Sequence, residues 1–205
     1  MTAVPKHDRS YQGDWKMRRI QYNSPVVLTF ALLSLAVLGL DKLTGGVSTK
    51  LCFETYRAPF TDPLMYVRLL GHVLGHANFA HYAANMTLFL VIGPMLEEKY
   101  GSKSLIEMIL ITALVSGIIH NIFFPGSALL GASGLVFMMM ILASQASAER
   151  GRIPLTFILV AAVYIGSEIT QSSAADNVSH ITHIIGGICG ASFGFIDTRR
   201  RGYRY

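Results

Sequence analysis

Apolar and polar positions fall in long blocks along the chain. Six apolar runs, at about 25–40, 79–96, 105–122, 133–148, 154–169 and 180–196, are separated by polar stretches. Each run is too long and too evenly apolar for a half-buried strand, so the pattern predicts six helices. Charges gather between the runs: Glu97-Glu98-Lys99 after the second, Glu149-Arg150-Gly151-Arg152 after the fourth, and Arg199-Arg200-Arg201 after the sixth. Phe124-Pro125-Gly126 breaks the third, and Gln171 to Ser179 is polar. One connection is much longer than the others. Asp41 to Leu70 holds the breakers Gly45-Gly46, Pro59 and Pro63, and mixes Phe53, Tyr56, Phe60, Met65 and Tyr66 with charges. Loops this long are uncommon unless functional. Its aromatic rings suit the membrane interface, where we expect it to lie.

Composition turns these helices into membrane helices. The 205 residues are 52% hydrophobic and 14% charged, with a mean hydropathy of +0.45. A soluble domain carries about 25% charged residues. At about 20 residues per span, six short helices use most of the chain and leave no separate soluble domain. The expected fold class is an all-α integral membrane protein, a compact bundle of six transmembrane helices over residues 25–197. A basic N-terminal segment (1–24) and a basic tail (198–205) flank it. The first apolar run lacks a small-x-small cleavage site, so it reads as a retained helix rather than a signal peptide.

The formal charge of +5 invites a nucleic-acid partner. The distribution argues against one, because the basic residues flank hydrophobic segments. Of 17 Lys and Arg, 13 lie in the leader, the second–third turn, the fourth–fifth turn and the tail. The other four, Lys42, Lys50, Arg57 and Arg68, lie on the opposite side. Basic residues are kept on the cytoplasmic side, where anionic lipid attracts them. Both termini are therefore expected in the cytoplasm of a multi-pass cell-membrane protein. The entrances of the second, fourth and sixth helices then face outward. Cys52 and Cys189 set no disulfide framework.

Those three entrances carry the candidate chemistry. Gly131-Ala132-Ser133-Gly134 opens the fourth run. Ser is a favoured helix N-cap, which is the plainer reading of Ser133 taken alone. It is also a potential nucleophile if a base can take its proton. His183 opens the sixth run, and histidine titrates near working pH. Gly186 and Gly190 share its helical face, and small residues spaced by four let membrane helices approach closely. His180, one turn further out, is the competing base. No third acid is evident: Asp176 and Asp197 lie near the ends of the sixth helix, so a Ser–His dyad is expected rather than a triad. His81 and Asn85 share a face of the second helix and can both donate hydrogen bonds to an oxyanion. Asn85 can equally make a structural backbone bond.

His72, His76 and His81 raise the question of zinc. The metalloprotease pattern wants Glu directly after the first His, and Val73 stands there. No metal is expected, and the histidines read as a hydrogen-bonded scaffold for the long connection. Arg68 either braces that connection or snorkels to the interface. Glu97 and Glu98 read as anchors of a cytoplasmic turn. Met138-Met139-Met140 reads as lipid-facing or as packing filler.

In order, these motifs resemble the rhomboid family of intramembrane serine proteases. The residues that carry the resemblance are Arg68-x3-His72-x3-His76-x4-His81-x3-Asn85, Glu97 with Gly101-Ser102, Gly131-x-Ser133-Gly134, and His183-x2-Gly186-x3-Gly190. The resemblance implies a six-helix bundle with a wet cavity open outward. It implies Ser133 as nucleophile, His183 as general base, and His81, Asn85 and the Ser133 N–H as the oxyanion hole. It also implies a half-submerged lateral loop supported by Arg68 and His72, no cofactor, and membrane-protein substrates whose helices unwind in the lipid. Two positions depart from the family pattern. Val67 stands where Trp is frequent, and Phe137 where Tyr stacks on the base. A protein that binds transmembrane helices without cutting them is the rival reading. It would share the bundle without needing Ser133 or His183.

Overall fold

A computed structural model describes residues 22–146, 148, 152–171 and 177–201. The outer part of the leader, Asp176, most of the fourth–fifth turn and the end of the tail lie outside the described residues. Among the described residues, seven α-helices follow in order: α1 (Pro25–Thr44), α2 (Pro63–Gly71), α3 (Phe79–Tyr100), α4 (Ser102–Phe123), α5 (Ser133–Ser144), α6 (Leu155–Gln171) and α7 (Asn177–Arg201). Among the described residues, α1, α3 and α4 are long and apolar enough to cross a membrane. α5 is apolar but has only 12 residues, and α6 has 17.

The long connection is more ordered than its breakers suggest. It holds a π-helical turn (Thr49–Phe53), α2 and a 3-10 turn (His72–Leu74). α2 starts where Asp62 accepts a hydrogen bond from Leu64 N at 2.9 Å and Pro63 takes the first helical position. Both are helix-start signals. The fourth helix is shorter than its apolar run, ending at Ser144 rather than near Ala148. Gln145 N and Ala146 N turn back to the carbonyls three residues earlier, which tightens and closes the last turn. The Lys99 ammonium donates to the Ala146 carbonyl there.

α5 lies at the centre. Leu135, Met138, Met139 and Leu142 are buried with Val27, Phe30, Phe89, Leu96 and Leu105 from α1, α3 and α4. Met138 and Met139 are thus core residues rather than lipid-facing ones. Phe30 and Phe89 stack at 4.6 Å between α1 and α3.

Glu97 does more than anchor a turn. Its buried carboxylate accepts from Val26 N at 3.0 Å, Val27 N at 3.1 Å and Ser102 Oγ at 2.7 Å. The first N–H groups of a helix have no partner within it, and the positive end of the dipole favours an anion. Glu97 therefore caps α1 from α3, and it ties the start of α4 to the same point.

α7 packs on α5 along a stripe of glycines. A Cβ at Gly186 would lie 2.1 Å from the Gly134 carbonyl oxygen, and one at Gly190 2.3 Å from that of Met138. Gly194 continues the stripe against the Gln145 side chain, at 2.8 Å. A larger residue at Gly186 or Gly190 would force the helices apart, because the backbone it meets cannot turn aside. α6 differs, since none of its described side chains is buried.

Candidate active site

Ser133 is the first residue of α5. The N-cap position belongs to Ala132, and no side chain caps this helix end. The plain capping role is therefore not the one Ser133 has. The residue is half-buried, at the positive end of the helix.

The segment leading into Ser133 is fixed to the long connection. Thr55 and Leu129 exchange two backbone hydrogen bonds, each 2.8 Å, and Gly131 N donates to the His72 carbonyl at 2.9 Å. Asn121 Nδ2 donates to Thr55 Oγ1 at 3.1 Å, and the His120 ring meets the Ser127 carbonyl at 3.1 Å. Gly131 has φ +124°, a conformation that disfavours side chains. A Cβ there would also lie 2.9 Å from His81 Cε1 and 3.0 Å from Nε2. The backbone just before Ser133 thus rests on the His81 ring.

The His81 backbone is held twice. Its N–H donates to Asn78 Oδ1, the N-cap of α3, at 2.8 Å. Its carbonyl accepts from Asn85 Nδ2 at 3.1 Å. An amide NH2 carries two hydrogens, so this bond leaves Asn85 a second donor.

His183 enters from α7. Its ring packs against Phe137, with centroids 4.2 Å apart and planes tilted by 39°. Phe137 is one helical turn beyond Ser133, on the same face. Gly134 packs against Thr182, whose Cγ2 would be 3.0 Å from a Cβ at that glycine. The contacts of Gly186 on Gly134 and Gly190 on Met138 set the separation of the two helices. His180, half-buried, lies three residues earlier on α7.

The support residues form a second group beneath the site. Arg68 is buried and donates to Asp62 Oδ2 at 2.5 Å and the Leu51 carbonyl at 3.5 Å. Its guanidinium lies 4.4 Å from the Tyr56 ring centroid. The arginine holds the Asp62 carboxyl below its usual range, chiefly through their hydrogen bond. His72 Nε2 meets the Ala113 carbonyl at 3.0 Å, and His76 Nδ1 the Leu74 carbonyl at 3.1 Å. Burial pushes both rings down to about 4, so they stay neutral at ordinary pH. Among the described residues, no group of three or more His, Cys, Asp or Glu side chains could hold a metal ion. A cavity of about 580 Å³ between the start of α1 and the end of α3 is lined by Asn23, Pro94, Glu97 and Glu98, at the far end of α3 from His81.

Several supports carry little sequence signal. Thr55, Asn121, His120 and Tyr82 sit singly in ordinary contexts. Gly71 and Gly75, beside His72, went unread in the sequence: a Cβ on them would lie 2.2 Å and 2.0 Å from the Cys52 and Phe53 carbonyl oxygens.

The rhomboid domain model matches residues 63–200, two thirds of the sequence. The chain belongs to the rhomboid family. With its three long apolar helices, this makes it an integral membrane protein. Among relatives, it is 25% identical to the rhomboid protease GlpG of Haemophilus influenzae over 175 residues, covering 76% of this chain and 91% of that one. It is 23% identical to the rhomboid protease GlpG of Serratia proteamaculans over 201 residues, covering 96% of this chain and 71% of that one. The rhomboid protease GlpG of Yersinia pestis strain Pestoides F matches at 22% over 179 residues, 85% of this chain and 63% of that one.

Proposed function

We propose that this rhomboid is an intramembrane serine endopeptidase acting through a Ser133–His183 dyad. One observation carries the reading: the His183 ring packs against the Phe137 ring, centroids 4.2 Å apart and planes tilted by 39°. Phe137 follows Ser133 by one turn of the same helix, and a histidine ring in contact with it supports a base working at the serine's end of α5. The names of the relatives, each a rhomboid protease, support the same class.

In this mechanism His183 takes the Ser133 proton as Oγ attacks the scissile carbonyl. The oxyanion of the tetrahedral intermediate accepts hydrogen bonds from the Ser133 N–H, His81 and the second Asn85 amide hydrogen. His183 then gives its proton to the leaving amine. Water hydrolyses the acyl-enzyme with His183 again as base. No cofactor or metal takes part.

Residues 25–197 form one membrane domain of six spans, with 1–24 and 198–205 in the cytoplasm. The active site opens outward. The substrates are membrane proteins with a transmembrane helix. A helix in lipid hides its peptide bonds and water is scarce there, so such an enzyme needs both a wet cavity and room for an unwound segment. The test is cleavage of a transmembrane peptide carrying a helix-breaking residue, reconstituted in liposomes with the parent and Ser133→Ala. Cleavage by the parent alone is expected. Equal cleavage by both overturns the proposal.

A further inference from the structure

We infer that His76 is a positioning residue, whose ring fixes the orientation of the His81 ring for catalysis. The inference rests on the reading of His81 as an oxyanion donor. Backbone bonds to Asn78 and Asn85 fix where the His81 side chain starts but not which way its ring turns. Two neighbours set that. On one side is the Gly131 backbone, close enough to exclude even a methyl group. On the other is the His76 ring, edge-on to His81 with centroids 5.2 Å apart and planes 66° apart. Edge-to-face contact at this range is a favourable ring geometry.

His76 is itself held firmly. It is buried, and its Nδ1 meets the Leu74 carbonyl at 3.1 Å. A carbonyl only accepts, so Nδ1 carries the proton and Nε2 is the bare nitrogen of the neutral ring. That Nε2 has no hydrogen-bond partner among the described residues. His76 therefore touches His81 as a ring rather than as a hydrogen-bonding group. Its other edge contact is Tyr82, with centroids 5.5 Å apart and planes 81° apart. The Tyr82 hydroxyl donates to the Ala31 carbonyl of α1 at 3.1 Å. A continuous path thus runs from the α1 backbone through Tyr82 and His76 to His81, and ends on the glycine two residues before Ser133.

A ring-specific role separates two kinds of substitution. His76→Ala removes the wall, and His76→Leu fills the space without a flat edge. His76→Phe keeps the flat ring and loses only the Leu74 bond. Removing an oxyanion donor outright costs about 100-fold or more, and letting one drift costs less, so His76→Ala and His76→Leu are expected to lower kcat about tenfold. KM should not change, because His81 acts on the transition state. Phenylalanine should restore kcat to within about threefold of the parent. Thermal unfolding identifies the folded variants, and His76→Leu replaces His76→Ala if the latter does not fold.

Histidine ¹⁵N NMR reads the ring directly and needs no activity. The His81 resonances should move in His76→Leu and stay near the parent's in His76→Phe. Unmoved resonances in a folded His76→Leu protein overturn the inference, as does a loss carried by KM, or a folded His76→Phe no more active than His76→Leu. If the parent itself does not cleave, the protease reading fails, and the NMR comparison still decides whether His76 orients His81.

Discussion

The α5–α7 seam and α6 are apolar helix surfaces in one protein, yet they are held in opposite ways. On the seam, two glycines of α7 rest on backbone carbonyls of α5 and a third rests on the Gln145 side chain just past its end. On α6 no described side chain is buried, and Leu155, Leu159 and Val163 are more than half exposed. In water such a difference would be read as hydrophobic burial. In lipid the surroundings are as apolar as leucine, so burial by itself drives little. Close backbone approach and dense van der Waals contact hold the seam together. Side-chain apolarity therefore does not reveal which helix is fixed; the absence of side chains does. The seam also carries both proposed catalytic residues, one on each helix.

The largest effect should come from widening the seam. Gly186→Val puts a branched side chain where a single Cβ already lies 2.1 Å from a carbonyl oxygen. Overpacking of this kind costs about 3 kcal/mol or more. Displacing His183 from Ser133 by about 1 Å can cost about 100-fold in rate. Thermal unfolding in detergent and cleavage assays should show both losses.

An intermediate effect concerns the support beneath the site. His72 and His76 keep neutral rings down to about pH 4, through burial. In the unfolded chain both titrate near 6.5. As pH falls below 6.5, the unfolded chain binds protons that the folded one refuses. Stability from these rings is thus complete above pH 6.5, declines between 6.5 and about 4, and falls no further below that. The buried His72 ring alone accounts for up to about 3 kcal/mol. Unfolding measured across this window should lose part of that slope in His72→Gln. An unchanged slope would show that His72 titrates normally in the folded protein.

The smallest effect is expected on α6. Leu159 is 56% exposed. Leu159→Ala should change stability by less than about 0.5 kcal/mol. A loss as large as that of Gly186→Val would erase the contrast between the two regions.

The sequence made part of this legible. Long apolar runs bounded by charge located the helices, and Gly186-x3-Gly190 marked the seam before any coordinates. Gly194 belonged to the same register, but its partner Gln145 lay in a stretch read as continuing helix, so the contact had no visible counterpart. Glu97 looked like a turn anchor because a carboxylate's acceptors carry no sequence mark for a distant helix start. Its cap on Val26 and Val27 spans 71 and 70 residues of chain. α2 hid behind Pro59 and Pro63, although Asp62-Pro63 is a helix start rather than a break. His76 stood in the spaced histidine run with His72 and His81, but Tyr82 carried no mark of its own. Their contact joins a residue of the long connection to one of α3, which no local spacing announces.

The most direct measurement is covalent capture by a fluorophosphonate probe in liposomes, with the modified residue located by mass spectrometry. Parent, Ser133→Ala, His183→Ala and His180→Ala proteins should be compared, each shown to be folded. Modification is expected at Ser133 in the parent and in His180→Ala, and none in Ser133→Ala or His183→Ala. A folded parent that resists the probe while a cleaving rhomboid protease reacts under the same conditions would contradict it. So would capture that survives in His183→Ala and disappears in His180→Ala.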